Sequence, residues 1–182
     1  MFHHPLPPDA ELRILEVRHA EELYELCDTN RQRLAPYLPW IDSTWSQADT
    51  RDFIEQGLQQ FAAGQGFHCG IWCEGQIAGS VGMHKINWLN HSVSIGYWIG
   101  KEFEGRGLVT RAAAAITNHC LHDLDLHRVE IRCATENVAS QRVAERLGFT
   151  REGILRGAQK VRNGWLDMVV FSKLSTDGSP RQ

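Results

Sequence analysis

The sequence predicts one α/β domain in which helices flank a mixed, mostly antiparallel sheet, and three observations predict it. The chain's 182 residues are 42 % hydrophobic and 23 % charged, the length and composition of one globular unit. Its hydrophobic period is helical between residues 20 and 62 and alternating from residue 67 onward. Between residues 92 and 134 a strand, a glycine-bearing loop, a helix and a second strand follow in order. That is a βαβ unit, which joins parallel strands through a right-handed crossover. The domain is expected to fill residues 1–182, with its core at about 11–174 and linker-like ends at 1–9 and 175–182.

The elements follow in order. A short strand is expected at 11–17, then an amphipathic helix on which Ala20, Leu23, Tyr24 and Cys27 recur at helical spacing. Prolines break the chain over 35–44. Ser46 with Asp49 forms the pattern of a capping box, and Ile54, Leu58, Phe61 and Ala62 give the next helix its apolar stripe before Gly64 and Gly66 end it. Residues 67–73 and 76–86, joined by Glu74-Gly75, predict a hairpin. In the strand at 92–99, Val93, Ile95, Tyr97 and Ile99 share one face, and Ser94, Gly96 and Trp98 the other. The loop 100–107 leads into a helix through Ala112-Ala113-Ala114-Ala115, then a strand at 128–134. A helix over 138–147 stops at Gly148, and strands at 149–155 and 165–174 complete the chain.

Charge and composition exclude several functions. Lys plus Arg number 19 against 22 Asp plus Glu, a net charge of -3, without the basic excess of a dedicated nucleic-acid binder. No apolar run nears the roughly 18 residues of a membrane span, and the opening Met1-Phe2-His3-His4-Pro5 lacks a signal-peptide pattern. Cys27, Cys69, Cys73, Cys120 and Cys133 are odd in number and scattered, which suits a reducing cytoplasm.

Gly105-Arg106-Gly107 lies between a strand and a helix, where free amides and the positive end of the helix can cradle an anion. A dinucleotide fingerprint would want glycine where Thr110 stands, and the Gly-Lys-Ser/Thr run of nucleotide hydrolases is absent. The plainer alternative is a tight turn that uses glycine for positive φ.

Four pieces together resemble the GNAT acetyltransferase superfamily, and within it the RimJ/RimL type that acetylates ribosomal-protein N-termini. They are Ile95-Gly96-Tyr97-Trp98-Ile99, Glu104-Gly105-Arg106-Gly107-Leu108-Val109, Thr135-Glu136-Asn137-Val138-Ala139-Ser140 and Leu147-Gly148-Phe149. The resemblance covers about residues 11–174 and implies an acetyl-coenzyme A dependent N-acetyltransferase. It implies that the amides of Gly105, Arg106, Gly107, Leu108, Val109 and Thr110 bind the pyrophosphate. The strands at 92–99 and 128–134 would splay apart, with the pantetheine arm pairing to main chain near Trp98 and Ile99. Arg106 and Arg111 can add charge there. Glu104 stands where the wider superfamily prefers Gln or Arg, and Val109 replaces a small residue.

Acetyl transfer needs a neutral amine, donors for the carbonyl oxygen and a proton for the departing thiolate. Asn137 and Ser140, three apart at a helix start, can face one crevice. The resemblance implies Asn137 as a pantetheine contact, Ser140 as the hydroxyl near the sulfur, and a main-chain N–H near Trp98 or Ile99 as the carbonyl donor. Asn137 also suits a helix cap. Relatives often carry Glu at the positions of Ser94 and Gln159, here without a carboxylate, so Asp42, Glu130, Asp167 and His84 are the conceivable substitutes. An α-amine of pKa about 7.7–8.0 is about a quarter neutral near pH 7.4, whereas a lysine amine is neutral about one part in a thousand. The expected acceptor is therefore an N-terminal α-amine deprotonated through water, with a small amine or a non-catalytic coenzyme A sensor as alternatives. A covalent route through Cys133 is the competing mechanism. A homodimer is expected from the resemblance, and neither nucleic acid nor membrane as partner.

Trp40 and Trp45 flank Asp42, and with Ser94 and Gln159 they suggest an acceptor wall that holds a cationic amine. No metal is expected. Cys69 and Cys73 lie about 13 Å apart on a strand; His119, His122 and Asp123 share one helical face, but histidines near a helix C-terminus also complement its dipole. Charge divides along the chain: residues 1–99 carry 6 basic against 12 acidic groups, residues 100–165 carry 11 against 8. An anionic cofactor on the second part and a cationic acceptor on the first are expected.

Overall fold

The structure, a computed structural model, describes residues 3–177; residues 178–182 of the expected C-terminal tail lie outside the described residues. Eight strands form one sheet: β1 (His3–Leu6), β2 (Ala10–Ile14), β3 (His68–Cys73), β4 (Gln76–Met83), β5 (Ser92–Ile99), β6 (Arg128–Ala134), β7 (Thr150–Val161) and β8 (Gly164–Leu174). Their order across the sheet is β1-β2-β3-β4-β5-β6-β8-β7. Only β5 and β6 run parallel. The helices are α1 (Ala20–Thr29), α2 (Arg31–Leu34), α3 (Gln47–Ala62), α4 (Leu108–Asn118) and α5 (Val138–Arg146).

Local chemistry sets the boundaries. Ser46 and Asp49 form the expected capping box of α3, and Asn137 caps α5 by accepting the main-chain N–H of Ser140 at 3.1 Å. The N-terminal segment corrects the expectation of a linker: residues 3–6 pair with β2 from His3↔Arg13 to Leu6↔Ala10. Arg111 fastens the turn between them, donating to the carbonyls of Leu6 and Pro7 and ion-pairing with Asp9 at 2.9 Å. The expected strand at 11–17 ends at Ile14, and Val17–His19 is a 3-10 turn held at both ends by Glu16 and His19. Strand β4 stops at Met83. Strand β7 runs six residues further than expected because it zips against β8 in a long hairpin.

Helices α1 and α3 pack on one face of the sheet, where Phe53 meets His68 at 5.0 Å. The other face carries α4 and α5, with Cys120 against Met83 and Tyr97 against Ser140. The apolar face expected for β5 is present, but only its first half is deeply buried: Val93 and Ile95 are core residues, while Tyr97 and Ile99 are half-buried. The reason is in the ladder. Parallel pairing with β6 runs from Ser92↔Arg128 to Ile95↔Ile131 and stops there, although both strands continue. Beyond it the two strands part.

Gly79 lies against that parting. A Cβ built on it would come within 2.2 Å of the Trp98 carbonyl oxygen and 2.9 Å of the Ile99 Cα. Main chain cannot give way as a flexible side chain can. Gly79→Ala is expected to destabilise the protein by about 1–3 kcal/mol, read as a lower urea midpoint with an unchanged slope.

Candidate active site

The parting of β5 from β6 leaves main chain free. In the β4–β5 ladder His84 donates to Ser94 and Gly100 donates to Ala78, so even-numbered residues of β5 face β4. The N–H and C=O groups of Tyr97 and Ile99 therefore face the gap, whereas those of Trp98 face β4. Between the two residues expected to meet an extended ligand, the register selects Ile99.

One end of the gap meets the glycine loop. Gly105 and Gly107 have φ of 76° and 70°, and an added Cβ at either would meet nothing within 4 Å. Backbone conformation, not crowding, requires glycine there. Among the described residues the amides of Gly105, Arg106, Gly107, Leu108, Val109 and Thr110 have no hydrogen-bond partner; the first bond of α4 is Arg111 N–H to the Gly107 carbonyl at 3.0 Å. Six successive free donors at a helix N-terminus can cradle an anion. The side chains contribute unequally. Leu108 is buried in the core, and Val109 lines a cavity of about 430 Å³ beside the gap. Arg106 pairs with Glu74 at 3.3 Å, which leaves it near the loop but shared. Arg111 is spent on the turn after β1, which corrects its expected place beside phosphates: its guanidinium is committed to Leu6, Pro7 and Asp9. Arg146 of α5, not foreseen, donates to Thr110 Oγ1 at 3.2 Å.

Glu104 also lines this cavity, and its charge is answered by Arg33 of α2 at 2.6 Å. Arg33 also donates to the Ile99 carbonyl, while its Nε is buried without a partner. No spacing pattern links residues 33, 99 and 104, so only the fold reveals this cation.

A second cavity, of about 860 Å³, opens on the other side of β5. Tyr97, Trp98, Asn137 and Ser140 line both, so the two meet at the end of α5. The Tyr97 hydroxyl stands 3.1 Å from Ser140 Oγ and donates to the Ser140 carbonyl at 3.2 Å. Burial pushes the Tyr97 phenol above its ordinary range, so it stays a neutral donor. Asn137 caps α5 as expected and also lines both cavities. Cys133 lines the second cavity, and burial raises its thiol above the ordinary value, which keeps it protonated and a poor nucleophile.

The second cavity brings together most of the expected acceptor wall. Trp40, which packs on Trp98 at 5.8 Å between ring centres, lines it with Ser94 and Gln159. Gln159 is held by its amide donating to the Tyr37 carbonyl at 2.7 Å. Asp42 is a correction: it ion-pairs with Arg162 at 2.6 Å and does not line the cavity. Trp45 is drawn away by Arg31, whose guanidinium lies 4.7 Å from its ring centre. The carboxylates that do line the cavity are Asp49 and Asp52 of α3. Hydrogen bonds from the Ser46 hydroxyl and the Trp45 and Ser46 amides keep Asp49 ionised.

Besides Asp42, two of the substitutes considered for the missing base are engaged elsewhere. Burial alone would raise the Glu130 carboxyl, but hydrogen bonds from Arg128 and Arg132 outweigh it and hold it low. Asp167 accepts the Gly157 amide at 2.7 Å. His84 lines the cavity. Outside the site, His119 and Asp123 form a pair at 2.6 Å, and no group of three metal-binding side chains gathers among the described residues.

A bifurcated gap, a free-amide loop at one end and a cavity on either side of β5 invite comparison with known proteins. YdaF of Bacillus subtilis, named a putative ribosomal N-acetyltransferase, is 36 % identical over 168 residues, 91 % of this chain and 91 % of its own. The ribosomal-protein-serine acetyltransferase of Escherichia coli is 28 % identical, over 90 % of this chain and 92 % of its own. The solved structure of RimL, a ribosomal alpha-N-protein acetyltransferase in complex with coenzyme A, superposes with a TM-score of 0.90 at 28 % identity, covering 93 % of this chain and 96 % of that one. The family model of the acetyltransferase (GNAT) domain matches residues 10–150, and the chain belongs to that family.

Proposed function

We propose that the protein transfers acetyl from acetyl-coenzyme A directly to the N-terminal α-amine of a protein, with a ribosomal protein as the substrate class. The observation that carries this is the junction of the two cavities at Tyr97, Asn137 and Ser140: one leads to the free amides, the other to an aromatic and acidic wall. The relatives' activities and the coenzyme A held by RimL support the same assignment.

In this reading the amides of residues 105–110 bind the pyrophosphate, and the gap-facing groups of Tyr97 and Ile99 pair with the pantetheine arm and donate to the thioester carbonyl. Asp49 and Asp52 draw a cationic terminus into the second cavity, so the acceptor KM rises with salt. The neutral amine attacks the carbonyl carbon, the C–S bond breaks, and Ser140, backed by Tyr97, supplies the proton that the thiolate takes up. The acceptor ammonium gives up its first proton to solvent before attack, and the one proton the nitrogen loses after attack returns to Ser140. The described chain acts as one catalytic domain. Five free cysteines support a cytoplasmic site of action. The dimer expected from the resemblance is tested by sedimentation.

Arg33 follows as a cosubstrate ligand, since it neutralises Glu104 and sits on the Ile99 carbonyl. Arg33→Ala is expected to raise the acetyl-coenzyme A Kd about tenfold, the loss of one charge-assisted hydrogen bond, by titration calorimetry. The assignment itself is tested by thiol release with N-terminal peptides, polyamines and small amines. Turnover confined to small amines would contradict it, as would cosubstrate binding with no turnover.

A further inference from the structure

The acceptor cavity contains two imidazoles with unoccupied nitrogens. His68 of β3, Gly82 of β4 and Gly96 of β5 form one row across the sheet, registered His68↔Gly82 and Gly82↔Gly96. The two glycines leave the floor of the cavity bare. A Cβ on Gly82 would meet His68 Nδ1 at 2.2 Å, and one on Gly96 would stand 3.2 Å from His84 Nε2. His84 follows β4 and pairs with Ser94, its N–H donating to the Ser94 carbonyl at 2.9 Å, so the two side chains share that face. Among the described residues neither imidazole makes a side-chain hydrogen bond. His68 is half-buried against Phe53, whereas His84 stands at the cavity wall with part of its surface exposed.

We propose that His84 is the catalytic base of this enzyme, taking the proton of the acceptor ammonium at Nε2, directly or through one water, and handing it to bulk solvent. The proposal rests on the acetyl-transfer reading above and adds a residue to it. The step balances: the ammonium N–H bond breaks, its electron pair stays on nitrogen as the attacking lone pair, and His84 becomes imidazolium until water removes the proton. Ser140 then exchanges the second proton between the nitrogen and the sulfur.

The surroundings suit that role. Desolvation first, and then the charge of Arg132 on β6, hold His84 below its ordinary range, so it is neutral near pH 7. Burial and the neighbouring His84 push His68 down to about 4, so it does not compete for the proton. From α3, Asp49 and Asp52 line the same cavity. Other carboxylates considered for the task are engaged by Arg162, by Arg128 with Arg132, and by the Gly157 amide. His84 is the proton acceptor in the cavity that is neutral, accessible and without a partner.

The test is the pH dependence of kcat for wild type, His84→Ala and His84→Gln, with an N-terminal peptide as acceptor. Wild type is expected to be flat from pH 7 to 9, because His84 accepts the proton of a bound ammonium throughout. Both variants are expected to lose about tenfold or more at pH 7 and to recover as pH rises through the α-amine's own pKa of about 7.7–8.0. Added imidazole should restore part of the rate to His84→Ala, and the acetyl-coenzyme A Kd should not change. A purely structural role would lower the rate equally at every pH. Variants with the wild-type profile and rate overturn the proposal, as does a loss that neither pH nor imidazole repairs. If wild type acetylates no N-terminus, the underlying assignment fails instead.

Discussion

Ser140→Ala is expected to lower kcat about a hundredfold, the usual scale for removing a positioned proton donor, while leaving the acetyl-coenzyme A Kd and the melting temperature almost unchanged. The fold gives the reason for the separation. It is the main-chain N–H of Ser140, not its hydroxyl, that Asn137 caps, and alanine is the best helix former. What disappears is the Oγ that stands 3.1 Å from the Tyr97 hydroxyl where the two cavities meet. Burial keeps that phenol neutral, so Tyr97 positions the Ser140 hydroxyl by hydrogen bonding and does not give up its own proton at working pH. Steady-state thiol release with calorimetry decides the point. A variant within twofold of wild type would mean that the thiolate is protonated from elsewhere.

Gly107→Val should weaken cosubstrate binding about a hundredfold without unfolding the protein. A β-branched residue is strained at the φ of 70° found here, at a cost of roughly 1–2 kcal/mol, yet its Cβ meets nothing within 4 Å. The loop therefore relieves the strain by turning its amides away. Losing two of the six hydrogen bonds to a charged group costs about 3 kcal/mol, so acetyl-coenzyme A should bind about a hundredfold more weakly. Calorimetry measures this, with circular dichroism confirming the fold. Unchanged affinity would show that the free amides are not where the anion binds.

What was legible in the sequence shares a physical cause. The glycines at 105 and 107, the cap at Asn137, the Ser46–Asp49 box and the alternation in β5 are demands of local backbone geometry, and local geometry is written in adjacent residues. Tyr97 was legible only as part of an apolar face. The opening of β5 from β6 beyond Ile95 turns that packing position into a site, and the sequence does not mark where pairing stops. Arg33 and Arg162 act on residues 66 or more positions away, Arg33 on Ile99 and Arg162 on Asp42. No periodicity records such contacts. The same distance explains the N-terminal strand, where Pro5 and two histidines resemble a linker until β2 pairs with them. Charge does not divide cleanly along the chain, since Arg33 from the acidic region pairs with Glu104 beside the glycine loop. Asp49, foreseen as a cap, carries charge on the acceptor side.

The central claim is that the cavity beside the junction admits a protein N-terminus. The direct measurement is fragment-ion mass spectrometry of a peptide that carries a free α-amine and an internal lysine, after incubation with the protein and acetyl-coenzyme A. The account predicts acetyl on the α-amine and none on the lysine side chain, with the product lost in Ser140→Ala. Acetyl confined to the lysine, or equal labelling with and without the protein, would contradict it.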